Sequence, residues 1–348
     1  MRVLVATVVH HPEDARIRHR QIPAMLEAGW DVTYVAPAGD LTPLPDGLTR
    51  VEVARASGRN RAGALRDIRR VLREHSPAAD LTILHDPELL LTLGAIDGPV
   101  TWDVHEDLAA QMVDKAWIPE PLRGPAGRVA HLLQRRGRSL PRTIAEAGYA
   151  ATHPDAVLVR NTVIVPDEIL PTGDDRIVYL GRVSRGRGAD LLGSVAELVE
   201  EDLTIDVIGP LDEGLHLPPT VRSRGFVPNN VALDELRGAT AGISLLRDLP
   251  NYRHSMPTKV LEYLSRGVPA ITTPLPAAVE VVTSYDCGIV VPFDDPVAVA
   301  DAIAELRNDP ELRARLGHNG HRAVRDHYNW TDDSRQMIEF FESVAESG

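Results

Sequence analysis

The sequence predicts an α/β protein of two domains, each built on a parallel β-sheet covered by helices. Short apolar runs alternate with amphipathic stretches through residues 2–107, and the same alternation starts again at residue 175. Between the two sets lies VPDEILPTGDD, whose prolines and acidic residues are typical of a linker. A chain of 348 residues also exceeds what one hydrophobic core usually serves. The predicted domains are residues 1–168 and 169–330.

Six strands are predicted in the first domain, from RVLVATVV, DVTYVAP, TRVEVA, ADLTILHD, PVTWDVHED and AVLVRNTVIVP, where the chain then leaves the domain. Helices are predicted at residues 17–28, 62–75 and near 89–93, and residues 110–150 are predicted to be helical. Alternating strands and helices form parallel sheets, whose ligands bind beyond the carboxyl ends of the strands. The polar segments HHPEDAR, HDPE and HED lie at three of these strand ends. We therefore expect ligand contacts from all three segments.

The second domain is predicted to contain six strands, from RIVYLGR, LTIDVIGP, VRSRGFV, GISLLRD, AIT and CGIVVPF. Helices fill the intervals between most of these runs. The chain closes with two helices that meet near residues 328–331, and the last one, residues 331–348, is predicted to cross back onto the first domain. No DxD motif lies at a strand end, and Asp294 and Asp295 are interpreted as a turn and helix cap.

The stretch NYRHSMPTKVLEYLSRGVPAITTP predicts a phosphate-binding helix. Pro257 suits a first helical turn, Ser255 is a plausible cap, and Gly267 suits a left-handed stop. The N–H groups at the start of a helix bind anions. Lys259 and Glu262 share one face at i, i+3 spacing, so a cation lies beside a carboxylate that can accept from ribose hydroxyls. The alternative is an ordinary surface helix with an ion pair.

Composition indicates an ordinary soluble globular protein, with 43% hydrophobic and 25% charged residues. No apolar run approaches the roughly 20 residues of a membrane span. The first apolar run leads directly into charged residues, which predicts a strand and not a signal peptide. The single cysteine, Cys287, fits a reducing cytoplasm. The net charge of −13 arises wholly after residue 165, and the chain lacks the basic footprint of a nucleic-acid binder.

The basic residues are unevenly chosen and unevenly placed. Only two of the 37 are lysine, Lys115 and Lys259. Lysine is a compact ammonium whereas arginine is bulky and planar, so these two positions either need the smaller cation or keep it by chance. Residues 121–142 contain six arginines and no acid. This segment predicts either a solvated face or a patch for an anionic acceptor or for the inner face of an acidic membrane, which the protein would then touch peripherally.

Five places in the chain form a combined pattern: GRVSRGRG; IGP with RGFVPNN; PTKVLEYLSRGVPAITTP; HDPELL with DVHED; and HYNWTDDSRQMIEFFE. Over essentially the whole chain they resemble the GT-B glycosyltransferases, specifically the large retaining family 4 (glycosyl transferases group 1). The third place resembles the P-x-K-x-x-E-Y signature of the family and is the most specific. The resemblance implies two Rossmann-like domains that face each other across a cleft, with a C-terminal helix that crosses back to the N-terminal domain.

The resemblance implies transfer of a sugar, with retention, from a UDP- or GDP-linked donor to a hydroxyl of a glycan, a lipid-linked intermediate or a natural product. It implies front-face attack, and the cations present predict that no cofactor and no metal are needed. The residues assigned to catalysis are His85, Arg182, Arg187 and Lys259; those assigned to donor binding are Gly181, Gly209, Phe226, Val227, Ser255, Met256, Pro257, Thr258 and Glu262; and those expected to face the acceptor are His11, Asp14, Arg16, His105, Glu106 and Lys115.

Three departures from the family pattern bear on these assignments. His254 stands where the family often has a glutamate, Arg187 stands where lysine is usual, and HHPEDAR replaces the common Gly-Gly of the first loop. Two other functions stay open. A nucleotide-sugar 2-epimerase would use HED or Glu13 and Asp14 as acid and base, and a non-catalytic protein would only bind the sugar nucleotide.

Overall fold

The computed structural model describes residues 1–39, 42–105, 132–133, 135–173, 175–250, 252–253 and 255–348. The chain forms two compact units: unit 1 is Met1–Asn161 with Thr331–Gly348, and unit 2 is Thr162–Trp330. The first segment of unit 1 therefore ends at Asn161, seven residues before the predicted domain boundary at residue 168. Each unit contains one parallel sheet, which confirms the predicted α/β class.

The sheet of unit 1 has seven parallel strands among the described residues. They are β1 (Arg2–Ala6), β2 (Asp31–Pro37), β3 (Leu48–Val53), β4 (Leu81–Leu84), β5 (Val100–Val104), β6 (Arg142–Ile144) and β7 (Val157–Leu158), in the order β3-β2-β1-β4-β5-β6-β7. β1 lies between β2 and β4, with Val3 opposite both Val32 and Leu81. The central strands show no alternation of buried and exposed residues, since β1 is buried from Val3 to Ala6 and β4 is buried at every position, as expected when both faces of a sheet are covered.

Helices of unit 1 follow the predicted positions. A π-helical turn, Ile17–Gln21, continues into α1 (Ile22–Glu27), and α2 spans Arg61–His75. A 3₁₀ segment covers Pro87–Ala95. One prediction is wrong: residues 142–144, expected to be helical, form β6. This strand has only three residues, all buried, so it shows no alternation, and its arginine resembles a surface residue.

Within the described ranges, the sheet of unit 2 has six parallel strands, and each of these was predicted. They are β8 (Arg176–Leu180), β9 (Thr204–Ile208), β10 (Val221–Ser223), β11 (Ala241–Ser244), β12 (Ala270–Thr272) and β13 (Gly288–Val290), in the order β10-β9-β8-β11-β12-β13. Its helices are α3 (Ala189–Ala196), α4 (Asn229–Glu235), α5 (Thr258–Ser265), α6 (Pro276–Ser284), α7 (Pro296–Asn308) and α8 (Pro310–His327). Buried apolar side chains form one cluster on each face of this sheet.

Helix ends in unit 2 follow local rules that the sequence displays. Asp295 caps α7 by accepting from the Ala298 N–H at 3.0 Å, as its interpretation as a cap predicted. Asp309 caps α8 in the same way, accepting from Leu312 N–H at 2.9 Å. Helix α8 ends at His327, and the last helix, α9, spans Trp330–Ser347.

Helix α9 belongs to unit 1 from Thr331 onward. Its apolar side chains are buried, with Met337 and Phe341 at 0% exposure. Asp333 accepts from Nε of Arg160 at 3.1 Å, which joins the helix to the end of the first segment of unit 1. No helix of the described ranges combines the length and the apolar character that crossing a membrane requires.

Candidate functional site

Two glycines bring the ends of β8 and β9 together. Gly181 has φ +95° and Gly209 has φ +153°, and a Cβ on Gly209 would lie 2.2 Å from the carbonyl oxygen of Gly181. A side chain at residue 209 would therefore collide with the backbone. Gly181 N–H donates to Ile208 O at 2.8 Å. This close approach fixes where the loop of residues 182–188 leaves the sheet. We call this segment the phosphate loop, because it carries Arg182 and Arg187, two of the residues assigned to catalysis.

A third glycine fixes the other end of this phosphate loop. Gly188 has φ +89°, and a Cβ there would lie 2.2 Å from the carbonyl oxygen of Leu245. It is also the N-cap residue of α3. Arg247 N–H donates to Gly186 O at 3.0 Å, so the segment after β11 supports the loop from one side.

The two arginines of the phosphate loop differ in their partners. The Arg182 side chain is 63% exposed and pairs with Asp212. Arg187 uses its backbone N–H to bind Ser184, whereas its guanidinium has neither a hydrogen-bond nor an ion-pair partner among the described residues. The loop therefore presents one exposed, weakly held cation and one without a partner.

Helix α5 begins at Thr258, with Pro257 in the N-cap position. The prediction of Ser255 as cap is wrong, because no side chain caps this helix and Ser255 lies two residues before the cap position. The predicted stop is confirmed: Gly267 has φ +72°, just beyond the end of the helix. Proline restricts its own φ to helical values, so it starts the helix without a side-chain cap.

Lys259 lies in the first turn of α5 with its amino group inside the protein. Nζ is withdrawn from solvent, has no hydrogen-bond partner in the described part of the chain, and lies 3.6 Å from the centroid of the Tyr179 ring. Burial, reinforced by the charge of Arg187 and opposed by Glu262, holds the pKa of Lys259 well below its ordinary value.

The other residues assigned to the donor lie around α5 and the ends of β9 and β10. Glu262 is 6% exposed, and Asn229 Nδ2 approaches its Oε1 at 3.5 Å. Val227 and Met256 pack against the core, whereas Phe226 is 49% exposed. Pro257 is buried and Thr258 is half-buried. His254, at the position where the family often has a glutamate, lies outside the described residues.

Unit 1 holds a second group of polar residues, centred on Asp103 of β5. Arg16 approaches the two carboxylate oxygens through Nε at 3.0 Å and Nη2 at 2.9 Å. Gln21 Nε2 and Thr143 Oγ1 each donate to the same carboxylate at 2.6 Å. His105 Nε2 lies 2.8 Å from it. Arg16, predicted to face the acceptor, is in fact 4% exposed, and its guanidinium donates to Asp103 and to the carbonyl oxygen of Val159.

His85 and His105 stand side by side at the ends of β4 and β5. His85 Nδ1 lies 2.8 Å from His105 Nε2, and His85 is 2% exposed. Burial lowers the pKa of His105 to about 4, against the pull of Asp103. Burial would raise the pKa of Asp103, but Arg16 and His105 outweigh it and hold that pKa well below its usual range. The catalytic role of His85 stays a prediction; the geometry makes it a support for His105.

The first loop joins this group through His10. His10 Nε2 lies 3.2 Å from Asp86, and its Nδ1 lies 3.5 Å from Asp14. Asp86 is 1% exposed and accepts from Thr7 Oγ1 at 2.8 Å and from two backbone N–H groups. His11 instead accepts from the Glu13 N–H through Nδ1 at 3.1 Å.

Several residues of this network were not assigned any role from the sequence, among them His10, Asp86 and Asp103. The signals were present. His10 and Asp86 lie in the strand-end segments, and Asp103 interrupts an apolar strand that is buried throughout. Glu106 and Lys115, which were expected to face the acceptor, lie outside the described residues, as does most of the arginine-rich segment 121–142.

His85, Asp103 and His105 also satisfy a simple test for a metal site, since each offers a ligand atom within 4.8 Å of the others. Two observations favour a hydrogen-bonded network instead. The three groups contact one another, and the guanidinium of Arg16 lies 3.0 Å from the Asp103 carboxylate, where it would repel a metal ion.

Comparisons with known proteins agree with this architecture. The profile of the family described as glycosyl transferases group 1 matches residues 162–323. The chain is 27% identical to the capsular polysaccharide biosynthesis glycosyltransferase CapM of Staphylococcus aureus, over 44% of this chain and 42% of that protein. It is 26% identical to the phosphatidyl-myo-inositol mannosyltransferase of Mycolicibacterium smegmatis, over 92% of this chain and 88% of that one.

A solved structure extends the comparison to the whole chain. The Anabaena protein HepE in complex with UDP-glucose superimposes with a TM-score of 0.73 at 13% identity, over 99% of this chain and 100% of that chain. The chain spans less than half the length of the first curated relatives that it matches. The chain therefore has the GT-B fold, and its residues 162–323 match the family model of the glycosyl transferases group 1.

Proposed function

We propose that the protein is a retaining glycosyltransferase that moves a sugar from a nucleotide-diphosphate sugar to a hydroxyl acceptor. The observation that carries the proposal is a pair of cationic groups in unit 2, the Arg187 guanidinium and Lys259 Nζ, for which the described part of the chain supplies no hydrogen-bond or ion-pair partner. A buried amino group without a partner is costly, so its retention indicates an anionic ligand nearby. The family match covers the same residues.

The proposed chemistry needs the protein to stabilise a leaving diphosphate. Negative charge grows on the diphosphate as the bond to the sugar breaks, and cations fixed in advance lower the barrier. Arg182, Arg187 and Lys259 supply three such charges. Glu262, a buried residue of α5, accepts from the ribose hydroxyls. We propose front-face attack by the acceptor, in which a donor phosphate oxygen takes the hydroxyl proton and no metal takes part.

The donor is proposed to be UDP- or GDP-linked, and HepE was solved with UDP-glucose. The acceptor is proposed to be a glycan, a lipid-linked intermediate or a natural product. The relatives include proteins named for capsular polysaccharide biosynthesis and for mannosyl transfer to phosphatidyl-myo-inositol. The proposed location is the cytoplasm or the inner face of its membrane.

The test uses the whole chain with radiolabelled UDP- and GDP-linked sugars, each with and without a panel of glycan, lipid-linked and small hydroxyl acceptors. We expect labelled product that retains the anomeric configuration by NMR, and we expect activity to survive EDTA. Interconversion of the donor sugar would identify a 2-epimerase instead, and tight binding without turnover would identify a binding protein. Loss of turnover in EDTA with recovery by a divalent ion would contradict the metal-free mechanism.

A further inference from the structure

Tyr179 lies beneath the phosphate loop, at the next-to-last position of β8. Its side chain is fully buried and belongs to the apolar cluster on one face of the unit 2 sheet. Only Leu180 and Gly181 separate it from the start of the loop. A buried tyrosine must still satisfy its hydroxyl, so the direction of that group is informative.

The Tyr179 side chain contacts all three residues that carry the proposed diphosphate-binding cations. Its hydroxyl lies 3.0 Å from the carbonyl oxygen of Arg187 and 3.3 Å from that of Arg182, and shares one proton between them. Its ring centroid lies 3.6 Å from Nζ of Lys259, well inside the range of a cation–π contact. The hydroxyl of Tyr179 therefore holds the phosphate loop, and the face of its ring holds the amino group of Lys259.

We propose that Tyr179 is the positioning residue of the diphosphate site, which sets Arg182, Arg187 and Lys259 at fixed separations for the donor. This inference rests on the proposed function. The attraction between two charges falls with their separation, so the sum over three cations depends on where each is held. The nucleoside part of the donor lacks these charges, and its binding does not depend on Tyr179.

Tyr263 provides a matched control in the same unit. It is also fully buried, and its hydroxyl also satisfies two backbone groups, accepting from Leu180 N–H at 2.8 Å and donating to Ile243 O at 3.0 Å. Its hydroxyl touches neither Arg182 nor Arg187, and no described contact joins its ring to Nζ of Lys259. Removing either hydroxyl costs a buried hydrogen bond, but only Tyr179→Phe changes the support of the cations.

The experiment compares the affinities of a nucleoside diphosphate and of its monophosphate, by calorimetry, for wild type, Tyr179→Phe, Tyr179→Leu and Tyr263→Phe. The base is the one among UDP, GDP and ADP that binds the wild type most tightly. We expect the ratio of diphosphate to monophosphate affinity to fall about 5- to 10-fold in Tyr179→Phe, as for loss of a hydrogen bond. It should fall further in Tyr179→Leu, which also loses the ring, and stay within twofold in Tyr263→Phe.

A ratio that is unchanged in both Tyr179 variants would overturn the inference. So would an equal fall in Tyr263→Phe, because the effect would then report only a loosened core. If Tyr179→Leu does not fold, the conservative Tyr179→Phe still decides the question. A wild type that binds none of the three diphosphates would overturn the proposed function together with the inference, which separates that failure from the first.

Discussion

The two units treat their buried charges in opposite ways. In unit 1 the buried carboxylate of Asp103 accepts from Arg16, Gln21 and Thr143 and contacts His105. In unit 2 the buried amino group of Lys259 has an aromatic ring beneath it and no hydrogen-bond partner among the described residues. Charge that is already compensated holds a structure in place, whereas charge without compensation is available to a ligand.

This difference distinguishes residues that hold the candidate site in place from residues whose charge is available to a ligand. Arg16 was predicted to face a substrate, yet it is buried and bound on both sides of a carboxylate. Arg182, which is itself exposed and pairs with Asp212, and Arg187, without a partner among the described residues, keep their charge accessible. The hydrogen-bond and ion-pair partners of a charged side chain therefore say more about its role than its residue type does. The substitutions below test that rule, from the largest expected effect on stability to the smallest.

The largest effect is expected for Asp103→Asn. The substitution leaves the guanidinium of Arg16 buried without its counter-charge, and removing one partner of a buried pair costs about 3–5 kcal/mol. We expect hydrogen exchange to accelerate throughout the unit 1 sheet and to stay unchanged in the unit 2 sheet. Asp212→Asn is the control, because its partner Arg182 is exposed, and it should cost less than about 1 kcal/mol. Equal effects from the two variants would contradict the comparison.

A smaller effect is expected from acid, through His105. Its pKa of about 4 lies below the ordinary histidine value of about 6.5, so the unfolded chain takes up a proton first as the pH falls. The contribution of neutral His105 to the free energy of unfolding is complete above pH 6.5 and is lost between about pH 6.5 and 4. At pH 5 the loss amounts to about 2 kcal/mol.

The measurement is hydrogen exchange of the β5 amides at pH 7 and pH 5, corrected for the intrinsic pH dependence of exchange. His105→Gln, which cannot titrate, should flatten this part of the pH dependence. The amides of β8 in unit 2 serve as the internal control. An identical pH dependence in wild type and variant would show that His105 is not the group that titrates.

The smallest effect on stability is expected for Lys259→Met, and its sign is opposite. Methionine fills a similar volume without an amino group to desolvate, while the cation–π contact of about 0.5–1 kcal/mol is lost. We expect the free energy of unfolding of unit 2 to rise by up to about 1 kcal/mol. The affinity for the nucleoside diphosphate should fall about tenfold or more in calorimetry. A variant that is less stable and binds equally well would place Lys259 among the structural residues.

Much of the fold could be predicted because its signals are local. Most strands of unit 2 are short apolar runs with glycine, proline or acidic residues close to their ends. The Asp295 cap and the Gly267 stop are readable within four residues. β6 could not be predicted, since three buried residues display no period. The predicted start of α5 was correct to one residue, whereas its predicted cap was wrong.

The residues of the candidate site likewise divide into those with local sequence signals and those that only packing brings together. Glycines 181, 188 and 209 and the P-x-K-x-x-E-Y stretch are local, and the sequence identified the regions that they occupy. The Asp103 network joins residues 16, 21, 103, 105 and 143, and no spacing in the sequence connects them. The parallel sheet predicts that strand ends meet, but not which side chain pairs with which. The burial of Nζ of Lys259 under Tyr179 is likewise a product of packing and not of helix periodicity.

The placement of α9 has a consequence for synthesis of the chain. Unit 2 is one uninterrupted stretch, whereas unit 1 recovers its last helix only after all of unit 2 has been translated. Domains usually complete folding in the order in which they leave the ribosome. Here unit 2, although it begins later in the chain, is fully translated first. Until then unit 1 exposes the apolar surface on which Met337 and Phe341 later pack. During translation, chaperones would therefore be expected to engage unit 1 until the final helix emerges.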